Sequence, residues 1–237
     1  MAVKNVKEAK SVKKPEIAYD ATNRAQVYWK KYSKPAAIVI AIAVVAVLGW
    51  FIYNSWVLQP KEVKAQETIF KAQQYFAQDS VNKALNGDGT NRGFLYIINN
   101  YSGTKTGNLA KYYAGVSYLK LGNFNSAVNY LKDFKTDVKQ VQMMAYGCLG
   151  DAYSELKKNT EAIDAYKKAA STFEEDQANA SEYLFRAALL SETTGKNKEA
   201  VDLYKELKDK YPATPRGAQA DKYIYRLSIQ PNDLSVK

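Results

Sequence analysis

The chain has 237 residues, 46% of them apolar, with only 12 Gly and 6 Pro, a balance that favours long packed helices and argues against disorder or a turn-rich β fold. It contains no His and one Cys, Cys148, which removes imidazole bases, Ser-His triads, His-ligated metals and intramolecular disulfides from the available chemistries. The net charge of +10 is uneven: residues 1–35 hold nine Lys/Arg against three acids, while the remaining 202 residues hold 25 against 21. A nucleic-acid binder would carry its basic excess on the folded part, so no nucleic acid is expected as a partner.

Residues 1–35 read as a basic tail, flexible and charged, with a short amphipathic helix near Ala18–Lys31. The stretch AAIVIAIAVVAVLGWFIYNSWV follows, Ala36 to Val57, with no charge between Lys34 and Lys61. At ~1.5 Å per residue it spans roughly 33 Å, close to the ~30 Å hydrocarbon core of a bilayer. Ala36, Ile40, Val44 and Leu48 belong to its apolar body, and Trp50, Phe51 and Trp56 lie toward one interface, where aromatic rings are favoured. The run is long for a core helix, and it starts too far into the chain for a cleaved signal peptide. A transmembrane helix over 36–57 is therefore expected. The basic residues before it predict a cytoplasmic N-terminus, which would place residues 58–237 in the periplasm of a two-membrane bacterium, or on the exterior.

Past the span, Val63–Ala84 shows helical spacing of small and apolar residues, Asn86-Gly87-Asp88-Gly89 breaks it, and Arg92–Tyr101 reads as a second helix. Together they make a divergent leading unit over about 61–101. From Asn108 onward helix pairs recur. Gly115-x-x-Tyr118 is followed by Gly122 and Ala127; Gly150-x-x-Tyr153 by Ala162, Tyr166 and Ala169; Ala188 by Gly195, Ala200 and Tyr204. This pattern resembles the tetratricopeptide repeat, in which a small residue on the first helix lets two helices approach closely and an aromatic fills the adjoining groove. Units are expected at 108–137, 142–173 and 181–212, with a capping helix at 215–229. The first-helix sites are 35 and 38 residues apart against a family period of 34, so a longer loop is expected around Glu174–Ala180. Departures from the pattern are Leu131 for an aromatic, Lys157 for the turn Gly and Ser191 for a Tyr. Two joints read alike at an offset of 110 residues, YSGTKTGNLAKYY from Tyr101 and YPATPRGAQADKY from Tyr211, each closing one helix and opening the next.

The fold class expected is thus all-α: one N-terminal transmembrane helix, then a tetratricopeptide-repeat α-solenoid with a C-terminal capping helix. No residue set reads as catalytic, cofactor-binding or metal-binding, and no cofactor or small-molecule substrate is expected; the chain is not read as an enzyme. Cys148 has no basic residue within a turn to activate it and reads as a buried structural thiol. Function is expected on the concave face lined by first helices. By register that face takes Tyr112, Val116 and Leu119 from the first unit, Met144, Asp151 and Ser154 from the second, and Phe185, Leu189 and Glu192 from the third. Some tetratricopeptide proteins grip C-terminal carboxylates there with paired Lys and Asn. The matching sites here are Tyr112/Val116, Gly147/Asp151 and Phe185/Leu189, so that clamp is missing, and an extended apolar or amphipathic segment is the expected ligand.

The order of parts, the span exit Gly49-Trp50-Phe51-Ile52-Tyr53-Asn54-Ser55 and the ending Tyr225-Arg226-Leu227-Ser228-Ile229 resemble the YfgM family, ancillary subunits of the SecYEG translocon. That resemblance implies association with SecYEG and with the membrane-anchored chaperone PpiD, and a role in handing over translocating polypeptides. A competing class is a scaffold for envelope assembly or a secretion machine.

Overall fold

The computed structural model describes residues 16–229, all of its regular elements helical apart from an isolated antiparallel bridge between Gly87 and Arg92. Lys4, Lys7, Lys10, Lys13 and Lys14 of the basic tail lie outside the described residues. The chain divides into two units, Met1–Val57 and Leu58–Lys237.

In the first unit, α1 runs Glu16–Tyr53 and contains Pro35. The helix expected near Ala18–Lys31 is present but is not short: residues 16–34 are helical and continuous with the apolar run, which corrects the expectation of a flexible tail there. Few residues there break a helix, and Pro35 removes only one intrahelical N–H, leaving the carbonyl of Lys31 without its usual donor. Ile38, Ile40, Val44, Leu48, Trp50 and Phe51 are all at least half exposed, so no protein core accounts for their apolar character. This helix is long and apolar enough to cross a membrane.

The second unit contains α2 (Gln59–Ala77), α3 (Val81–Asn86), α4 (Phe94–Asn100), α5 (Lys105–Lys120), α6 (Phe124–Asp133), α7 (Lys139–Glu155), α8 (Asn159–Thr172), α9 (Gln177–Thr193), α10 (Asn197–Lys210), α11 (Pro215–Ala218) and α12 (Ala220–Ser228). A π-helical turn, Asn54–Leu58, precedes α2. One closing motif recurs in α2, α5, α7 and α9. A residue with positive φ follows the helix, and the next N–H returns to a carbonyl five residues back. The residues are Asp79 (φ 55°), Gly122 (73°), Lys157 (59°) and Gly195 (76°). The returning bonds are Ser80 N to Tyr75 O, Asn123 N to Tyr118 O, Lys158 N to Tyr153 O and Lys196 N to Ser191 O, each 2.8–2.9 Å. This left-handed C-terminal closure satisfies carbonyls that the helix would otherwise leave open. The four helices it ends are the first helices of successive pairs. The expected single helix Val63–Ala84 is corrected here: Asp79 ends α2 and α3 starts separately at Val81. Asp tolerates the left-handed region better than most residues.

The pairs close by small-against-large packing. A Cβ at Gly115 would fall 2.6 Å from Leu131 Cγ, and one at Gly150 would fall 2.5 Å from the Tyr166 ring. Only glycine lets α6 and α8 approach their partners this closely. In the third pair Ala188 and Tyr204 are both fully buried in one core cluster. The joint before α5 and that before α11 share one geometry. Thr104 and Thr214 each accept a bond from the glycine N–H three residues on (2.8 and 3.1 Å) and donate to the carbonyl of the preceding Tyr101 or Tyr211 (2.6 and 2.9 Å). Gly107 and Gly217 sit against those Tyr carbonyls, where a Cβ would lie 2.2 and 1.9 Å away. A third joint has the same frame in other residues: Asp176 N bonds Phe173 O, and the Asp176 carboxylate accepts from Asn179 N. N-capping requires a side-chain oxygen, which Asp supplies as well as Thr.

The longer spacing before the third pair is not a longer loop. α8 has 14 residues against 10 in α6, whereas 173–176 is a shorter connection than 134–138. The insertion is absorbed as about one more turn of helix, where each added residue gains a backbone hydrogen bond. At the end of the array, α11 and α12 pack on α9 and α10 as a first helix of a further pair would, with Tyr223 stacked on Tyr204 at 4.8 Å.

Candidate protein-binding face

The first helices α5, α7 and α9 adjoin one another on one side of the second unit. Their contacts there are set by residues one repeat apart. Tyr183 of α9 lies on the backbone of Gly147 of α7, so that a Cβ at 147 would fall 2.2 Å from the ring. Arg186 of α9 reaches Asp151 of α7 at 2.9 Å, and Tyr166 donates to the same carboxylate at 2.7 Å. Glu182 takes both Arg186 (3.1 Å) and Arg216 (2.7 Å), so the sequence Asp151–Arg186–Glu182–Arg216 links α7, α9 and α11. Glu192 accepts from Tyr204 at 2.9 Å and pairs with Arg226.

The predicted face residues separate into two groups. Met144 and Leu189 are exposed, at 42% and 37%. Tyr112, Val116 and Leu119 are half-buried, packed beside the core of the second pair. Tyr112 rests between Tyr113 and Phe134, each at 5.5 Å. Burial, with Cys148 and Tyr183 nearby, holds its hydroxyl protonated far above the ordinary tyrosine range. Burial, then the neighbouring Cys148, pushes Tyr183 up to about 12. These side chains offer a neutral, amphipathic surface at any physiological pH.

Phe185 is a correction. It is 5% exposed, lies 5.3 Å from the Tyr223 ring and carries the Arg216 guanidinium over its face at 4.1 Å. The capping helices supply both covers, so Phe185 belongs to the core. Asp151 and Glu192 are on the expected side, but their carboxylates are committed to internal partners. Sequence reasoning missed Tyr183 and Arg186. A mid-helix glycine at 147, with a bulky residue one repeat later, was the available signal for Tyr183. Opposite charges 35 residues apart were the signal for the pair Asp151–Arg186.

Beside this network a shallow cleft of about 230 Å³ is lined by Ser154, Tyr166, Arg186, Leu189, Leu190 and Thr193. On the side of the second helices a cleft of about 450 Å³ is ringed by charge, including Asp164, Lys167, Lys168, Glu206 and Lys210. Among the described residues no group of three His, Cys, Asp or Glu could hold a metal ion. Burial, then the negative charge of Asp151, pushes the Cys148 thiol up to about 11, away from nucleophilic use.

Three segments match tetratricopeptide-repeat family models: 109–138, 145–176 and 182–214. No curated protein matches the chain. Among solved structures, a putative kinesin light chain from Podosopora anserina with nearly identical TPR-like repeats aligns over 69% of this chain and 84% of its own. The alignment has 14% identity and a TM-score of 0.49. The family-model matches show that the chain carries tetratricopeptide repeats, a scaffold for binding other proteins.

Proposed function

We propose that the protein is a membrane-anchored tetratricopeptide scaffold of the bacterial inner membrane. In this reading the repeats are periplasmic and act beside SecYEG and PpiD in handing over translocating polypeptides. The observation that carries the binding role is the first-helix face. Its exposed apolar groups Met144 and Leu189 stand beside half-buried Tyr112, Val116, Leu119 and Tyr183, while the neighbouring acids are already paired. Such a surface favours an extended apolar or amphipathic segment over a charged one, with Met supplying adaptable contacts. Anchoring rests on α1, and orientation on the excess of Lys/Arg ahead of its apolar run. The translocon assignment rests on the resemblance to the YfgM family.

Crosslinking with mass spectrometry in native membranes tests the partners. Recovery of SecY or PpiD is expected; exclusive recovery of envelope-assembly or secretion-system components would replace this reading with that one. Charge substitutions at Tyr112, Met144 and Leu189 are expected to abolish client capture with the fold intact. Unchanged capture would move the binding surface elsewhere.

A further inference from the structure

The first unit carries more than an apolar run. No acidic residue occurs between Asp20 and Glu62, yet Lys30, Lys31 and Lys34 stand directly before the apolar stretch. All three are exposed on α1, and among the described residues no carboxylate pairs with them. At about 100° per residue, the three lysines occupy an arc of about 100° on the helix. Tyr28, Trp29 and Tyr32 occupy the adjoining arc. They are 63%, 75% and 50% exposed, although large aromatic side chains ordinarily find cover. Tyr28 stacks on Tyr32 at 6.2 Å, and Lys31 Nζ lies 5.3 Å from the Tyr32 ring centre. The helix thus presents a cationic strip and an aromatic strip side by side.

A second aromatic group, Trp50, Tyr53 and Trp56, lies beyond the apolar run and is equally exposed. From Trp29 to Trp50 the helix rises about 32 Å, and from Tyr32 to Trp50 about 27 Å, bracketing the thickness of a hydrocarbon core. Two aromatic girdles at that spacing set both depths at once. Lys30, Lys31 and Lys34 then fall at headgroup level on the N-terminal side.

From this placement we propose that Tyr28–Lys34 of α1 is a binding collar for the headgroups of anionic phospholipids. The ammonium groups of Lys30, Lys31 and Lys34 engage the lipid phosphates, and Tyr28, Trp29 and Tyr32 seat the ring of lipids at the interface. The proposal rests on the reading of α1 as a membrane span. It adds that the anchor selects its lipid neighbours by charge. A lysine held near an anionic surface gives on the order of a fivefold bias in local lipid occupancy.

The test uses the full chain with Trp50→Phe and Trp56→Phe, leaving Trp29 as its one tryptophan. It is reconstituted in vesicles of phosphatidylcholine and phosphatidylglycerol at fixed ratio, with bromine near the headgroup end of the chains of one lipid or the other. Brominated phosphatidylglycerol is expected to quench Trp29 at least about threefold more, per lipid, than brominated phosphatidylcholine, given the bias per lysine. The preference should fall with added salt. Replacing Lys30, Lys31 and Lys34 together by Gln should bring the ratio to one, while K61Q with K64Q should leave it unchanged. Equal quenching by both lipids overturns the proposal while leaving the span intact, as does a preference that survives the triple substitution. Quenching by neither lipid, with the protein extracted by alkaline carbonate, overturns the span and the collar together.

Discussion

Lys157 occupies a position where two of its three counterparts are glycines, and replacing it with Gly should stabilise the protein. It ends α7 at φ 59°, matching Gly122 at 73° and Gly195 at 76°. The backbone bonds around it are intact: Lys157 N to Ser154 O and Lys158 N to Tyr153 O, both 2.9 Å. Its side chain is exposed, so little besides backbone conformation is at stake. A left-handed conformation costs an L-residue about 1–2 kcal/mol through the clash of Cβ with the carbonyl. Glycine avoids that cost but loses about 0.5–1 kcal/mol through its freer unfolded chain. The net expectation for Lys157→Gly is a gain of about 0.5–1 kcal/mol, or about 1–4 °C in Tm for a repeat region of this size. Lys157→Ala should gain nothing, because Ala keeps the Cβ. Gly195→Lys should lose about 1 kcal/mol by the same reasoning. Urea unfolding of the full chain in detergent micelles, followed by helical circular dichroism, gives these differences. If Lys157→Gly proved neutral or destabilising while Lys157→Ala stabilised, side-chain loss rather than backbone strain would be the cause, and the reasoning would fail.

Other consequences are open to the same measurements. Ser117 and Ser191 are fully buried with no hydrogen-bond partner for either hydroxyl, so Ser117→Ala and Ser191→Ala should each stabilise by up to about 1 kcal/mol. Glu62 of α2 accepts from Thr106 Oγ1 at 2.6 Å and Thr106 N at 3.2 Å, clasping the first turn of α5. Burial alone would raise the pKa of Glu62, but these bonds outweigh it and hold the carboxyl below the usual range. Glu62→Ala should cost about 1–2 kcal/mol near neutral pH. Because the folded pKa is depressed, that contribution is complete above the unfolded value near 4.3 and is lost as pH falls through the folded one. The gap between variant and parent should therefore close in acid. Cys148, pushed from 9.0 to about 11, should be alkylated at pH 8 about a hundredfold more slowly than an unperturbed thiol. A rate equal to that of the denatured chain would show that the thiol is not shielded.

The repeats were legible because their determinants are local and of fixed spacing. Gly115 and Gly150 each face a bulky residue 16 positions on, and Gly122 and Gly195 announce the turns. The joint at Phe173–Asp176 was not legible, since Phe, Asp and Asn stand where Tyr, Thr and Gly mark the other two. The backbone asks only for an oxygen at the cap, so one geometry admits dissimilar letters. The end of α2 at Asp79 was hidden for a related reason, a positive φ carried by a residue other than glycine. Of the proposed face, the apolar members followed from helical register. Phe185 was misplaced because its covers, Arg216 and Tyr223, come from elements more than 30 residues away, where register carries no information.

The arginines of the last repeats point one way. Arg186 reaches back to Asp151, Arg216 to Glu182 and Arg226 to Glu192, in each case to the preceding first helix. The pairs begun by α7 and α9 thus each hold acids whose arginine partners come from the helices after them. The terminal helices supply counter-ions as well as covering an apolar end. A chain shortened before Arg216 would leave Glu182 with Arg186 alone and strip Glu192 of its cation. During synthesis Glu182 and Glu192 wait for these arginines until α11 and α12 emerge, so the last first helix gains its counter-ions only after the whole pair α9–α10 has been made.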